Sequence, residues 1–118
     1  MATPESRVKT RVKKILEKYP NAYRTMPVTG GFGNSGVPDF IACINGKFVA
    51  VECKANGNKP TALQKKNLNA IVEAGGYGFV VDDSSIGVFI LSLDNVVHSA
   101  VYPRLYDFTS EENPSKDK

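Results

Sequence analysis

The chain has 118 residues and a mass of 12.8 kDa, which predicts one folded domain and leaves little room for a second. Hydrophobic residues make up 42% of the sequence and charged residues 23%; this composition excludes wholesale disorder, and no apolar run approaches the roughly 18 residues of a membrane span. The net charge of +3 does not by itself indicate a nucleic-acid partner, but its distribution along the chain is uneven.

The first predicted element is a helix that begins at Thr3-Pro4, where a capping hydroxyl precedes a proline at the first helical position. Its apolar residues recur at helical spacing and stop before Pro20-Asn21. They are Val8, Val12, Ile15, Leu16 and Tyr19. Glu5 falls on the same apolar face. Six bases and two acids lie between residues 5 and 18, so the helix presents either a surface for a polyanion or an ordinary solvated face.

A β-hairpin is one of the clearer local predictions. Residues 22–28 form a plausible first strand, and the glycine-rich segment 29–36 is predicted to be a flexible loop. Residues 38–44 and 47–55 are two largely apolar runs joined by Asn45-Gly46, a dipeptide that favours a two-residue hairpin turn.

The second half of the chain predicts a helix followed by an interior strand. Thr61 and Gln64 match a capping box, and Gly75-Gly76 ends the helix. The apolar positions of this helix are Leu63, Leu68, Ile71 and Val72. Residues 77–81 are continuously apolar, which is typical of a strand in a central position.

The last third of the chain is less regular. Residues 86–91 fit a strand or part of a helix, and residues 92–101 fit a short helix capped by Ser92 or Asp94. Residues 109–118 are expected to form a disordered tail.

The order of the predicted elements, α-β-β-β-α-β, indicates an α/β fold in which helices flank a mixed sheet. We expect this fold to occupy residues 1–108 as a single domain. No charged start followed by an apolar core and a cleavage site opens the chain, so we expect no secretory signal and an intracellular protein.

The predicted hairpin sets two acidic side chains opposite each other. With a two-residue turn, Asp39 lies directly across from Glu52, with Cβ atoms roughly 4.5–5.5 Å apart, and Lys54 shares their face. Like charges in a largely buried ladder are unfavourable, and a divalent cation relieves both the repulsion and the burial. Mg²⁺ is typically held by one or two carboxylates with water and phosphate oxygens. The alternatives are that the register slips, or that Lys54 forms an ordinary salt bridge with one of the acids.

The cysteines and the single histidine exclude other chemistries. Two cysteines are too few for a disulfide scaffold or a zinc site, and His98 cannot form a multi-histidine metal site alone. By strand alternation, Cys43 shares the face of Asp39 whereas Cys53 points to the opposite face. We therefore expect no disulfide between them, and predict that both are small buried hydrophobic residues.

One ordered set of motifs resembles a known family of enzymes. Gly36-Val37-Pro38-Asp39, followed after twelve residues by Glu52-Cys53-Lys54, resembles the motif of PD-(D/E)xK nucleases. Its surroundings resemble the VRR-NUC branch, as small stand-alone phage and bacterial nucleases, over about residues 3–83. The supporting segments are Thr3-Pro4-Glu5, residues 48–55, residues 60–64 and residues 73–76. The resemblance implies a restriction-endonuclease-like fold and metal-dependent hydrolysis of DNA.

The resemblance also implies a role for each residue of the motif. Asp39 and Glu52 would ligate Mg²⁺ or Mn²⁺, together with the backbone carbonyl of Cys53. Lys54 would position or activate the attacking water and offset charge on the phosphate. No serine, cysteine or histidine constellation in the sequence offers a rival nucleophile.

Two further residues match positions near the active site of such nucleases. Glu5 would complete the metal shell directly or through water, and a carboxylate on an apolar face is costly unless it is paired. The alternative for Glu5 is a first-turn acid favoured by the helix dipole. Gln64 matches a polar position on the following helix, and its alternative is the capping box alone.

Seven basic side chains are candidates for contacts with DNA phosphates, which position a substrate without reading its sequence. They are Arg7, Lys9, Arg11, Lys14, Lys59, Lys65 and Lys66. The glycine-rich loop either closes over the DNA backbone or is an ordinary mobile loop. A chain of this size has little surface for a duplex, and two-fold pairing would double that surface.

Stand-alone members of the family resemble Holliday-junction resolvases, so the resemblance implies a homodimer that acts on branched DNA. The expected location is the cytoplasm of a bacterial or phage-infected cell, with no membrane and no small-molecule cofactor. Two alternatives stay open. The chain could bind DNA without cutting it, as an accessory module on the same fold, or be a small α/β interaction protein whose acids are coincidental.

Overall fold

A mixed sheet with helices on both faces organises the chain. The computed structural model describes residues 3–27 and 36–109. The helices are α1 (Pro4–Leu16), α2 (Ala62–Glu73) and α3 (Ile86–His98), and the strands are β1 (Ala22–Thr25), β2 (Phe40–Ile44), β3 (Lys47–Cys53), β4 (Tyr77–Val81) and β5 (Leu105–Asp107). The strands form one sheet in the order β1-β2-β3-β4-β5, antiparallel from β1 to β3 and parallel from β3 to β5. The predicted fold class is confirmed.

Helix α1 begins as predicted. The Thr3 side chain accepts a hydrogen bond from the Ser6 backbone N–H at 3.1 Å, and Pro4 occupies the first helical position. The buried face of the helix consists of Val8, Val12, Ile15 and Leu16. This face fixes α1 against the sheet, so side chains on its flank have defined positions.

The hairpin has the predicted register. Asn45 and Gly46 both have positive φ, 51° and 80°, as a type I′ turn requires. Ile44 pairs with Lys47, and the last pair of the ladder joins Phe40 to Val51. Asp39 and Glu52 are therefore the next residues on the two strands beyond the end of the ladder.

The hairpin turn also contacts the end of α3. The Asn45 side-chain amide donates to the Val97 carbonyl at 2.9 Å, and the Lys47 ammonium donates to the Val96 and Ser99 carbonyls at 3.1 and 3.0 Å. These bonds satisfy carbonyls that a helix terminus leaves without intrahelical partners. They hold the turn of the hairpin against α3, at the other end of the hairpin from the acidic pair.

The two faces of the sheet are covered by different helices. α1 and α3 pack on the face that carries Val49, Val51 and Cys53. α2 packs on the other face through Leu68, against Ala50 and Val80. Because side chains alternate along a strand, Glu52 and Lys54 lie on the α2 face.

Helix α2 has the predicted capping box at Thr61 and Gln64. Its buried residue is Leu68, whereas Leu63 is 40% exposed, so the placement of Leu63 on the apolar face was wrong. Leu63 precedes Leu68 by five residues, about 140° around a helix, and therefore points away from the sheet.

The C-terminal third differs most from expectation. β4 is buried along its whole length and paired on both sides, as predicted. After a short 3-10 turn at Asp83–Ser85, one continuous helix runs over Ile86–His98. The helical alternative for residues 86–91 is therefore confirmed, whereas the separate helix start at Ser92 or Asp94 was wrong. The short strand β5 was not predicted; its Tyr106 ring stacks on Phe79 with ring centroids 4.9 Å apart.

The two cysteines lie on opposite faces of the sheet and are not disulfide-bonded. Cys53 is buried as predicted, but Cys43 is exposed; the buried contact of α2 with this face is with Ala50 of β3 and Val80 of β4. The expectation that both are buried was therefore wrong for Cys43.

Some predicted segments fall outside the described residues. They include residue 28 at the end of the expected first strand, the glycine-rich loop up to residue 35, and residues 110–118 of the expected tail. Thr109, the first residue of that tail, is described and is buried. Within residues 3–27 and 36–109, no helix has the length and apolar character needed to cross a bilayer.

Candidate active site

Asp39 closes the open end of the β2–β3 hairpin. Its Oδ2 accepts a hydrogen bond from the Cys53 backbone N–H at 2.8 Å. This bond replaces the next rung of the backbone ladder by a side chain, so the carboxylate is held across the strand pair. The other oxygen, Oδ1, faces the Lys9 ammonium at 3.4 Å.

The segment before Asp39 passes close to α2. A Cβ atom at Gly36 would lie 2.6 Å from the Leu63 carbonyl oxygen, much closer than van der Waals contact. Glycine is therefore required for this close approach of backbone to helix. From this contact with α2 the chain enters β2, and Asp39 directly before β2 lies on the face of the sheet that α2 covers.

Glu52 lies almost completely inside the protein, with 2% of its surface exposed. Its Oε2 accepts a hydrogen bond from the Gln64 side-chain amide at 3.0 Å. Its Oε1 is buried and has no hydrogen-bond partner among residues 3–27 and 36–109. A buried carboxylate oxygen without a partner is costly and calls for a ligand.

Burial and a neighbouring acid make Glu52 hard to ionise. The pKa of Glu52 is raised to about 8. Burial is the largest cause, and the nearby Asp39 carboxylate is the second. The Lys54 ammonium, 3.8 Å from Oε2, acts in the opposite direction. The two acids are thus close enough to oppose each other, as the predicted register requires.

Lys54 follows β3 directly and is buried, with 8% of its surface exposed. Its backbone N–H donates to the Val81 carbonyl at 2.8 Å, which continues the pairing with β4. The side chain is therefore set on the α2 face beside Glu52. The alternative of an ordinary Lys54–Glu52 salt bridge is part of the arrangement, but it leaves Oε1 without a partner in the part of the chain that the structure describes.

Gln64 has both of the functions that its sequence context suggests. Its Oε1 accepts from the Thr61 backbone N–H at 2.9 Å, which completes the capping box. Its Nε2 donates to Glu52. The start of α2 therefore positions the acidic side chain through one amide.

Glu5 and Lys9 approach the same site from α1. The Lys9 ammonium lies 3.6 Å from Glu5 Oε2, one helical turn away. The Glu5 side chain is 40% exposed, so it lies at the edge of the apolar face rather than inside it. The Lys9 ammonium thus lies between two carboxylates. Its spacing from Glu5 is typical of a helical ion pair, whereas the contact with Asp39 has no signal in the local sequence.

The other basic candidates divide into two groups. Arg11 forms an ion pair with Asp83 at 2.7 Å, and the Lys59 ammonium donates to the Thr109 carbonyl at 2.9 Å. These contacts tie α1 and the C-terminal segment to the domain. The second group consists of the remaining candidates, which lie exposed on α1 and α2: Arg7, Lys14, Lys65 and Lys66.

The donor set suits a hard divalent cation. Within the described part of the chain, no three histidine, cysteine, aspartate or glutamate side chains are gathered into a ready metal-binding group. Asp39 and Glu52 nevertheless present two carboxylates, which with water is a common Mg²⁺ arrangement. Burial raises the pKa of the Cys53 thiol, so this residue is not a thiolate ligand or nucleophile.

The fold brings the residues of the motif together. Asp39 and Glu52 lie at the end of a hairpin in the mixed sheet, and Lys54 lies beside Glu52. No family model matches the chain.

Two comparisons with known proteins found similar chains. The chain is 47% identical over 53 residues to "Putative nuclease p44" of Acyrthosiphon pisum secondary endosymbiont phage 1, a match that covers 44% of this chain and 56% of that protein. The chain thus spans little more than half the length of this relative. A solved structure described as a VRR_NUC domain has the same fold, with a TM-score of 0.59 at 21% identity, over 85% of this chain and all of that one. The structural likeness shows a shared fold, and the sequence likeness to the phage protein is confined to 53 residues.

Proposed function

We propose that this protein is a divalent-metal-dependent endonuclease that hydrolyses phosphodiester bonds in DNA. The observation that carries the proposal is the opposed pair Asp39 and Glu52 beside Lys54, with a buried Glu52 oxygen that lacks a partner among the described residues. The VRR_NUC fold and the phage relative named as a nuclease support the same reading.

Four groups would hold the cation. Asp39 and Glu52 would ligate Mg²⁺ or Mn²⁺ through carboxylate oxygens, and Glu5 would contribute directly or through water. The Cys53 N–H points to Asp39, and the N–H and C=O of one strand residue point to the same side, so the Cys53 carbonyl is a fitting further ligand. When bound, the ion supplies an activated water and offsets charge on the scissile phosphate.

The neighbouring side chains orient this site. Gln64 fixes the Glu52 carboxylate by its bond to Oε2, which leaves Oε1 directed to the cation. The buried Lys54 ammonium would orient water and offset charge on a non-bridging phosphate oxygen. Among the basic candidates, the exposed Arg7, Lys14, Lys65 and Lys66 supply contacts with the DNA backbone (Lys9, Arg11 and Lys59 have partners within the protein).

Nicking of supercoiled plasmid tests the proposal. The wild type should nick in the presence of Mg²⁺ or Mn²⁺ and not with EDTA, and Asp39→Asn should reduce nicking more than about a hundredfold. Asparagine keeps an oxygen that can accept from the Cys53 N–H, so the hairpin stays closed while one negative charge is removed. Circular dichroism checks that the variant is folded.

Failure of wild-type nicking with either metal would contradict the proposal. If the same protein retarded DNA in a gel, the accessory-module alternative would be favoured. If it bound neither metal nor DNA, the acidic pair would be coincidental.

The quaternary state and the DNA structure form the finer part of the proposal. A stripe of exposed side chains crosses the antiparallel strands on the α2 face: Tyr23, Cys43 and Phe48 are mutually paired positions. Tyr23 is 75% exposed and Phe48 is 43% exposed. We propose that a second copy of the chain covers this stripe, which sets two sites against two strands of branched DNA.

Sedimentation of single-site variants tests the homodimer. At micromolar concentration the wild type should sediment at twice the chain mass, and Tyr23→Asp should sediment as monomer because a charge is buried at the interface. Tyr102→Asp is the matched control, since Tyr102 is 90% exposed but lies outside the stripe. A monomeric wild type, or a Tyr23→Asp variant that still dimerises, would contradict the proposed surface; equal cleavage of junctions and linear duplex would contradict the preference for branched DNA.

A further inference from the structure

Each acid of the site has one oxygen already used within the protein. Asp39 Oδ2 accepts the Cys53 N–H, and Glu52 Oε2 faces Gln64 and Lys54. The oxygens that remain for a cation are Glu52 Oε1 and Asp39 Oδ1. The first has no partner among the described residues, whereas the second is contacted by the Lys9 ammonium.

Lys9 is held at that position by its helix. It lies one turn after Glu5 and its ammonium is 3.6 Å from Glu5 Oε2 and 3.4 Å from Asp39 Oδ1. This part of α1 is fixed by two fully buried residues: Val8, directly before Lys9, and Val12, one turn further along the helix. The Asp39 side chain is 18% exposed, so this contact is better shielded from water than a surface ion pair.

Lys9 brings its positive charge to both acids. Its ammonium lies 3.4 Å from Asp39 Oδ1 and 3.6 Å from Glu5 Oε2. A positive charge therefore lies beside the very oxygen that a metal would use. A full ammonium and a divalent cation cannot occupy one carboxylate oxygen without strong repulsion.

We propose that Lys9 is a built-in counter-ion of the metal-free site and that it competes with the divalent cation for Asp39 Oδ1. The inference rests on the proposed function, since the cation is the one that the nuclease would bind. In the absence of metal, Lys9 offsets the repulsion between the opposed acids and keeps the site assembled. Metal uptake then requires the ammonium to leave Oδ1, so Lys9 lowers metal affinity and acts as a positioning residue for Asp39.

Titration calorimetry with Mn²⁺ on the full chain tests this inference. Lys9→Gln should bind Mn²⁺ about tenfold more tightly than the wild type, because one positive charge beside the ion is removed. Lys18→Gln is the charge-matched control: Lys18 is exposed beyond the end of α1, and its removal should leave Mn²⁺ affinity within about twofold. Lys9→Arg keeps the charge and can pair with Asp39, so it should bind Mn²⁺ no more tightly than the wild type.

Thermal unfolding gives a second readout. Metal-free Lys9→Gln should melt below the wild type, since the acids lose their counter-ion, and saturating Mn²⁺ should raise its Tm by more than it raises that of the wild type. A merely structural lysine would lower stability and metal affinity together. Tighter binding with lower metal-free stability therefore supports the competition.

Three outcomes would overturn the inference. Mn²⁺ affinity of Lys9→Gln equal to or weaker than that of Lys18→Gln would show that Lys9 does not oppose the metal. Tighter Mn²⁺ binding by Lys9→Arg than by the wild type would also show that the charge at position 9 does not oppose the metal. Absence of Mn²⁺ binding in all the folded proteins would overturn the proposed metal-dependent function and this inference with it. The first two outcomes, in contrast, would overturn only the role of Lys9.

Discussion

Replacement of Glu52 by glutamine is expected to abolish Mn²⁺ binding and DNA cleavage while it stabilises the metal-free protein at neutral pH. The buried Oε1 without a partner among the described residues is the oxygen offered to the cation. Glutamine has one side-chain oxygen, so when that oxygen accepts from Gln64 an NH2 group stands where Oε1 was, and an NH2 group does not ligate a hard cation. Glutamine can still accept the Gln64 hydrogen bond. It also removes the charge that Asp39 opposes, so folding becomes easier as function is lost.

The stabilisation has a defined pH dependence. The pKa of Glu52 rises from 4.5 to about 8 on folding, first because of burial and second because of Asp39. Between these two values the native state binds more protons than the unfolded state, so the stability of the wild type falls as pH rises. Below about pH 4.5 the side chain is protonated in both states, and above about pH 8 the full penalty is present.

The Glu52→Gln variant lacks this penalty. Its stability should match the wild type near pH 4 and exceed it at pH 7 by roughly 2–3 kcal/mol. Urea unfolding of metal-free protein at a series of pH values, with EDTA present, measures the difference. Glu73→Gln is the control, because Glu73 is exposed at the end of α2, and its stability should follow the wild-type pH curve.

Metal binding by the wild type provides the complementary measurement. A cation must displace the proton that metal-free Glu52 retains below about pH 8, so Mn²⁺ affinity should increase with pH up to that value and proton release should accompany uptake. A variant that is less stable than the wild type at pH 7, or metal affinity that is flat between pH 6 and pH 8, would show that the acids are not opposed in solution.

The site could be predicted because its geometry is local. Asn45-Gly46 determines the turn, the turn determines the register, and the register sets Asp39 beside Glu52 within one hairpin. Alternation along the strand then places Lys54 on their face. Each step depends on neighbouring residues, so no knowledge of the distant chain was needed.

Other features depend on contacts that the local sequence does not contain. Cys43 is as apolar as its neighbours, and its exposure depends on where α2 packs, which is against Ala50 of β3 and Val80 of β4. The three-residue strand β5 has little pattern of its own and is stabilised by pairing with β4 and by the Tyr106–Phe79 stack. Helix α3 continues through Ser92 because Phe89, Leu93 and Val96 bury one continuous face.

The position of Lys9 illustrates the same limit at the site itself. Its spacing from Glu5 indicates a helical ion pair, but its contact with Asp39 joins residues thirty positions apart. Charge counting along α1 treats every base alike, and only the packing of the helix separates Lys9 from the exposed Arg7 and Lys14.

Lys54 should be required for cleavage but not for metal binding. Replacement by methionine keeps most of the side-chain volume and removes the ammonium 3.8 Å from Glu52, so the hydrophobic part of the side chain still packs. Cleavage at saturating Mn²⁺ should fall about 10²- to 10⁴-fold, as is typical when a group that orients or activates water is lost. Mn²⁺ affinity should not decrease, because a nearby positive charge is removed.

The combination of the two measurements identifies the role of Lys54. Loss of cleavage together with loss of Mn²⁺ binding would mean that Lys54 supports the structure of the metal site, and retained cleavage would mean that it takes no part in the reaction. Lys18→Met, which removes an exposed lysine distant in sequence from the site, should leave both quantities unchanged. These measurements distinguish Lys54 from Lys9. Both ammonium groups oppose the cation electrostatically, but Lys9 contacts Asp39 whereas the buried Lys54 contacts Glu52. Loss of the Lys54 ammonium should therefore lower the rate of cleavage even when the site is saturated with metal.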